Sequence, residues 1–239
     1  MSIKTQWPKI IPELTQQEKE INDDFMAYWH KQLPRSFRYR VLEFFNHGYP
    51  TWHSPKNFIS TLEIGAGLGE HIARQSLNNA QQKAYVALEL RASMAASLSK
   101  RFPHITTCIT DCQKPLPFND NHFDRIIASH VLEHLPNLPA AVTEMHRVCC
   151  KKTGKLLVVI PCEGGYLYNT IRKITSQKLF EKRYHTAYAP FIAREHCNKP
   201  HEIFEVLKAH FTITHTRYYP FLIPQVDANI LIGLTLIPR

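Results

Sequence analysis

The chain has 239 residues, 44 % of them hydrophobic and 21 % charged, with 29 Lys and Arg against 20 Asp and Glu for a formal net charge of +9. That length holds one large domain or two small ones, and the composition excludes wholesale disorder. The longest apolar stretch, Ala228–Ile237, is interrupted by Gly233 and Thr235 and falls far short of the ~18–20 residues that span a bilayer. The first eight residues lack the apolar run of a signal peptide, and none of the six cysteines forms a Cys-x-x-Cys pair. A reducing cytoplasm is therefore expected, without zinc ribbons or disulfide frameworks.

Residues 15–31 predict a helix. Thr15 and Glu18 make a capping box, and Ile21, Phe25, Tyr28 and Trp29 form the apolar stripe. Ser36–Asn46 reads as a second short helix, ended by His47-Gly48-Tyr49-Pro50. Residues 1–57 are thus expected to form a helical cover. Apolar, β-branched runs follow at Phe58–Ile64, Ala84–Leu90, Ile105–Thr110, Arg125–Ser129 and Lys155–Ile160, with helical patterns at Gly69–Ser76, Ser93–Arg101 and Leu138–Cys150. Strands alternating with helices predict a parallel sheet covered on both faces. Two last runs, Phe211–Tyr218 and Asn229–Ile237, have no helix between them and predict an antiparallel pair at the end of the sheet.

Only eight residues are glycine, yet Gly65, Gly67 and Gly69 fall within five positions directly after the first predicted strand. Ligands of open α/β sheets bind at the carboxyl ends of strands, and glycines there bring backbone against the ligand. The spacing is Gly-x-Gly-x-Gly with Glu70 following and Glu63 preceding. Carboxylates so placed disfavour a pyrophosphate, and no Gly-Lys-Ser/Thr is present for a P-loop. Glu89, at the end of the second strand, suits a ribose diol. Asp111, after the third, suits the exocyclic amine of a purine. Glycine loop, ribose acid and purine acid describe an adenosine with a cationic, non-phosphate substituent, and S-adenosylmethionine fits.

Four stretches in unbroken order carry a family resemblance: LEIGAGLGEH (62–71), LELRASM (88–94), TDCQKPLPFNDNHFDRIIASHVLEHLPN (110–137) and EMHRVCCKKTGKLLVVIP (144–161). Residues 58–161 resemble the core of the class I S-adenosylmethionine-dependent methyltransferases, in particular the small-molecule (type 11) group that includes quinone-biosynthesis enzymes. Glu89 stands where that family often has Asp, and Lys152-Thr153-Gly154 replaces its usual Pro-Gly-Gly. The resemblance implies a three-layer, Rossmann-like α/β sandwich with a seven-stranded, mostly parallel sheet and an antiparallel last strand. It also implies a domain over 58–239. Cofactor contacts are expected from Glu63, Gly65, Ala66, Gly67, Leu68, Gly69, Glu89, Leu90, Met94, Asp111, Cys112, Ser129, His130, Val131 and His134. Of these, Ser129, His130 and Val131 would line the methionine side.

His130-Val-Leu-Glu133-His134 also spells the inverted zincin pattern H-x-x-E-H. Pro136 and Pro139 would break the helix that such a zinc site needs, and no further ligand stands out, so no metal is expected; Glu133 and His134 read as walls of the cofactor pocket. Pro161-Cys162 is a weak match to the RNA cytosine-C5 enzymes. Residues 162–199 carry seven basic and three acidic side chains and four tyrosines, Tyr166, Tyr168, Tyr184 and Tyr188. They are expected to form a substrate lid, with Tyr166, His185 and His196 as candidates for a general base. The expected reaction is methyl transfer to a small-molecule or lipid-like acceptor, with peripheral membrane contact allowed. An RNA acceptor and an inert cofactor-fold binding module are the alternatives.

Overall fold

The computed structural model describes residues 5–32 and 37–239. Ser36, where the second helix is expected to begin, and the side chain of Trp29 lie outside what is described. The sheet has seven strands: β1 (Thr61–Ile64), β2 (Tyr85–Leu88), β3 (Thr106–Cys108), β4 (Arg125–Ser129), β5 (Lys155–Pro161), β6 (Phe211–Tyr219) and β7 (Leu231–Pro238). Their order across the sheet is β3-β2-β1-β4-β5-β7-β6. β1 to β5 pair in parallel, and β7 runs antiparallel to both its neighbours. This is the expected doubly wound α/β architecture. Order reverses beside β1, which opens a crevice at the carboxyl ends of the central strands.

β4 and β5 are buried along nearly their whole length, as strands covered on both faces must be. One cover is α5 (Leu138–Val148), whose Leu138, Ala141, Val142, Met145 and Val148 all point inward. Beside it lies α9 (Pro200–His210), which buries Ile203 and Leu207 and was not anticipated. α4 (Ala92–Arg101) packs against the outer strand β3, and the short α3 (Asn79–Lys83) leads into β2. The helix expected over Gly69–Ser76 reduces to a 3-10 turn at Ile72–Arg74. The reason is local: Ile72 alone of these three is buried, too little apolar surface to sustain a helix.

α1 (Gln16–Gln32) and α2 (Phe37–His53) precede the sheet. Thr15 and Glu18 make the expected reciprocal cap of α1. α2 overruns its expected stop and carries Gly48 and Pro50 inside it. Packing overrides the local signals here, because Tyr49 is fully buried and its ring lies flat on Gly233 of β7, where a Cβ would come within 2.6 Å of it. Pro50 has no N–H for the Asn46 carbonyl one turn back, and that oxygen instead accepts from Ser129 Oγ at 3.5 Å.

Past β5 the chain forms α6 (Tyr166–Arg172), a π-turn, α7 (Lys178–Tyr184) and α8 (Ala189–Glu195). Phe180, Tyr188 and Phe191 from this segment cluster with Phe25 of α1. No described helix is long and apolar enough to cross a membrane.

Candidate active site

Parallel register brings the ends of four strands into line: Ile64 of β1 faces Leu88 of β2 and Ala128 of β4, and Leu88 faces Cys108 of β3. The glycine loop leaves β1 at this edge. The N–H of Ala66 donates to the Leu88 carbonyl at 3.0 Å, which keeps the loop against β2. Gly65, Gly67 and Gly69 all have positive φ. At Gly65 a Cβ would stand 2.6 Å from Val131 Cγ2, so the loop is pressed onto the chain leaving β4. At Gly67 (φ +58°) nothing lies nearer than Glu70 Oε2 at 3.7 Å and Met94 Cε at 3.8 Å. Here a side chain would make only ordinary contacts, and it is the left-handed φ that calls for glycine.

Glu89 is 6 % exposed and ties the rim together. Its Oε2 accepts the Gly67 N–H and its Oε1 the Arg91 N–H, each at 2.9 Å. A carboxylate oxygen accepts more than one hydrogen bond, so both retain capacity for ribose hydroxyls. Asp111 Oδ1 accepts from the backbone and side-chain nitrogens of Gln113 and stands at the β3 end of the same rim. Glu63 lies lower. It is fully enclosed, and its Oε2 accepts from the Tyr85 hydroxyl at 2.6 Å. Burial pushes its carboxyl up to about 7, against the Tyr85 hydrogen bond and the Arg125 charge. Cys112 is buried beside Asp111, and burial raises its thiol to about 12.

The chain after β4 forms the opposite wall. His130 adopts φ +54° and its N–H donates to the Val159 carbonyl, bending the backbone across the strand ends. Its ring nitrogens lie 3.0 Å from Asn46 Oδ1 of α2 and 3.2 Å from Glu133 Oε1. Leu132–His134 is a 3-10 turn and not the long helix that a zincin requires. Glu133 is completely buried. Burial favours its neutral form, but the His130 hydrogen bond and the surrounding histidines outweigh this and hold it down to about 2. His134 Nδ1 donates to the Glu195 carbonyl oxygen.

Beside the glycine loop a cleft of about 450 Å³ is lined by Asn22, Asp23, Met26 and Ala27 of α1, Leu68 of the loop, Arg91, Ser93 and Met94 at the start of α4, and Glu195. Small-molecule sites span ~300–1,000 Å³. Of the residues expected at the cofactor, Leu68 and Met94 line this cleft, and Leu90 is 62 % exposed. The α1 residues and Glu195 were missed. Asn22, Asp23 and Met26 share one helix face, but nothing in the sequence says that this face meets a loop 45 residues away.

Of the three candidate bases, the structure draws in His196 alone. Its Nδ1 donates to Glu163 Oε2 at 2.7 Å, and its ring meets that of His134 edge to face, centroids 4.9 Å apart. His185 caps the end of α7 in an exposed, left-handed conformation, and Tyr166 is 77 % exposed.

These residues fit S-adenosylmethionine by their own geometry. Gly67 keeps the loop free of a side chain at the rim, Glu89 has acceptor capacity for a diol, and the adjoining cleft carries Asp23 and Glu195 against Arg91, a lining that suits a cationic ligand. Residues 62–158 match the family model described as a methyltransferase domain. No curated protein matches the sequence, but solved structures share the fold. One is a protein from Pyrococcus horikoshii, with TM-score 0.63, 14 % identity, and 89 % of this chain and 99 % of that one covered. Another is the cyclase SpnF, with TM-score 0.59, 15 % identity and 97 % and 98 % covered. A third is the trans-methyltransferase CalH in complex with SAH, with TM-score 0.54, 18 % identity and 83 % and 55 % covered. Residues 62–158 thus match a methyltransferase domain within a fold that these solved structures share, and S-adenosylmethionine is the cofactor that this match and the rim geometry indicate.

Proposed function

We propose that the protein transfers a methyl group to a small-molecule or lipid-like acceptor admitted between α1 and the 162–199 segment. The supporting observation is the lining of the cleft. Met26, Ala27, Leu68 and Met94 give it apolar walls, while Asp23 and Glu195 outnumber Arg91. An RNA path needs basic side chains along it to displace counterions from the phosphates, and this cleft is lined the other way. When bound, the cofactor supplies an electrophilic methyl carbon on a sulfonium. The protein then acts chiefly by proximity and alignment. Glu89 and the Gly67 backbone hold the adenosine end, and the turn at His130 shapes the wall beside the methionine end. The aromatic cluster of Phe25, Phe180, Tyr188 and Phe191 keeps α1 docked on the 162–199 segment, so that both close the same side.

Incubating the protein with methyl-labelled cofactor and, in parallel, small-molecule, lipid and RNA extracts tests this reading. Label in the small-molecule or lipid fraction is the expected result. Label confined to RNA overturns it, and cofactor binding without label in any fraction would favour a binding module.

A further inference from the structure

Glu133, His134 and His196 each offer a donor atom within 4.8 Å of the others. Their arrangement differs from an incidental surface cluster in three respects. First, both rings are held by their Nδ1 atoms: His134 donates to the Glu195 carbonyl, and His196 to the Glu163 carboxylate at 2.7 Å. A carbonyl and a carboxylate can only accept, so Nδ1 carries a proton in each ring and Nε2 is the nitrogen that a metal ion would take. Metal-binding histidines are oriented in this way, with the second nitrogen donating to a carbonyl or carboxylate. Second, Glu133 is completely buried: its Oε1 lies 3.8 Å from His134 Nε2 and 3.2 Å from His130 Nδ1, and its Oε2 has no hydrogen-bond partner among the described residues. Leaving a buried charged oxygen unpaired is costly, so the geometry calls for a partner. Third, the supports are themselves anchored. Arg172 pairs with Glu163. Asn198 bonds the carbonyls of Leu132 and Leu135 at 2.7 and 2.8 Å, and its own N–H donates to the Glu133 carbonyl. The two chain segments, 62 residues apart, are thereby locked side by side.

We propose that Glu133, His134 and His196 bind a divalent transition-metal ion, with Zn2+ the best chemical match to two imidazoles and one carboxylate. Ligands around tetrahedral zinc sit ~2.0–2.2 Å from the ion and therefore ~3.4 Å apart. Small side-chain rotations close the observed spacing, and His134, whose side chain is 36 % exposed, is the side from which an ion enters. Three protein ligands leave a fourth position open, the pattern of sites that also hold water or a substrate oxygen. An ion on Nε2 of His196 takes up the lone pair that a general base would use, so the two roles exclude each other. The inference concerns the ion alone and stands whether or not the acceptor reading holds.

The test is metal binding by the whole protein, stripped with a chelator and titrated with Zn2+ by calorimetry and with Co2+ by visible absorption. One equivalent of saturable binding is expected, with a Co2+ band of low coordination number and a rise in Tm on adding Zn2+. His134→Ala and His196→Ala should abolish the Co2+ band. Glu163→Gln, which weakens the support of His196 together with the Arg172 ion pair, should weaken affinity ~10–100-fold. Glu133→Gln keeps the shape and should lose the ion, and circular dichroism shows whether each variant is folded. No saturable binding by the wild type overturns the proposal without any variant. So does a Co2+ band unchanged in a folded His134→Ala/His196→Ala double variant, which would put the ion on one of the other histidines or cysteines. In either case the cluster is a hydrogen-bonded network only.

Discussion

The backbone N–H of Gly67 donates to Oε2 of Glu89 at 2.9 Å, so the carboxylate at the end of β2 holds the glycine loop that leaves β1. One side chain thus has two jobs on the rim. It shapes the loop, and it keeps lone pairs that the proposed ribose contact would use.

Glu89→Ala should therefore weaken cofactor binding by about 1.5–3 kcal/mol, the range for hydrogen bonds to a charged group. That is a rise of roughly 10- to 150-fold in Kd by titration calorimetry. A change below threefold would mean that the ribose is held elsewhere.

Gly67→Asp should abolish cofactor binding while the protein still folds. The surroundings leave room for a side chain, with nothing nearer than 3.7 Å, so the substitution fills the approach without breaking the core. The left-handed φ costs a non-glycine residue about 1–2 kcal/mol. Unchanged affinity in a folded variant would remove Gly67 from the site.

Glu63 gives a pH dependence. Its carboxyl is raised from the ordinary 4.5 to about 7 by burial. Between those values the folded protein holds a proton that the unfolded chain has lost, so this group's contribution to stability falls as pH rises through the window. Glu63→Gln should flatten that part of the stability profile and leave the variant more stable than wild type at pH 8. Denaturant midpoints from pH 4.5 to 8 would check it, and parallel profiles for the two proteins would refute it.

Phe180→Ala should destabilise the protein by about 3–5 kcal/mol, the usual cost of truncating a buried phenylalanine. Its ring is fully buried and touches Phe25 edge-on at 4.9 Å and Phe191 at 4.8 Å. Hydrogen exchange should quicken in α1 as well as in α7, because Phe25 loses an edge-on ring contact. Faster exchange in α7 alone would separate α1 from the 162–199 segment.

Neutralising the basic residues of that segment should not give a uniform result. Arg172 is paired with Glu163, and Arg183 with Asp24 of α1 at 2.9 Å, whereas Lys173 and Lys182 are exposed. If charge attracts an anionic acceptor, Lys173→Gln with Lys182→Gln should raise its KM and leave the cofactor Kd within about twofold. Kinetics of the double variant at low and high salt measure this; an altered cofactor Kd with unchanged KM is the contrary outcome.

The sequence by itself determined the alternation of strands and helices, the antiparallel pair at the end and the glycine loop with its acids. These are local signals: periodicity, β-branching, and glycines where backbone must bend or lie bare. They placed β4 to the residue and put Gly67 and Glu89 on one rim, where they bond. Tertiary structure decided what depends on contact between distant segments. α2 runs through Gly48 and Pro50 because burying Tyr49 against Gly233 outweighs two helix-breaking residues. α1 lines the cleft because Phe25 fits among aromatic rings more than 150 residues away. His196 reaches His134 because Asn198 clips its segment to the turn after β4. A motif reader sees two histidines and a glutamate followed by prolines; only the folded chain brings in a third histidine and the carboxylate that aims it.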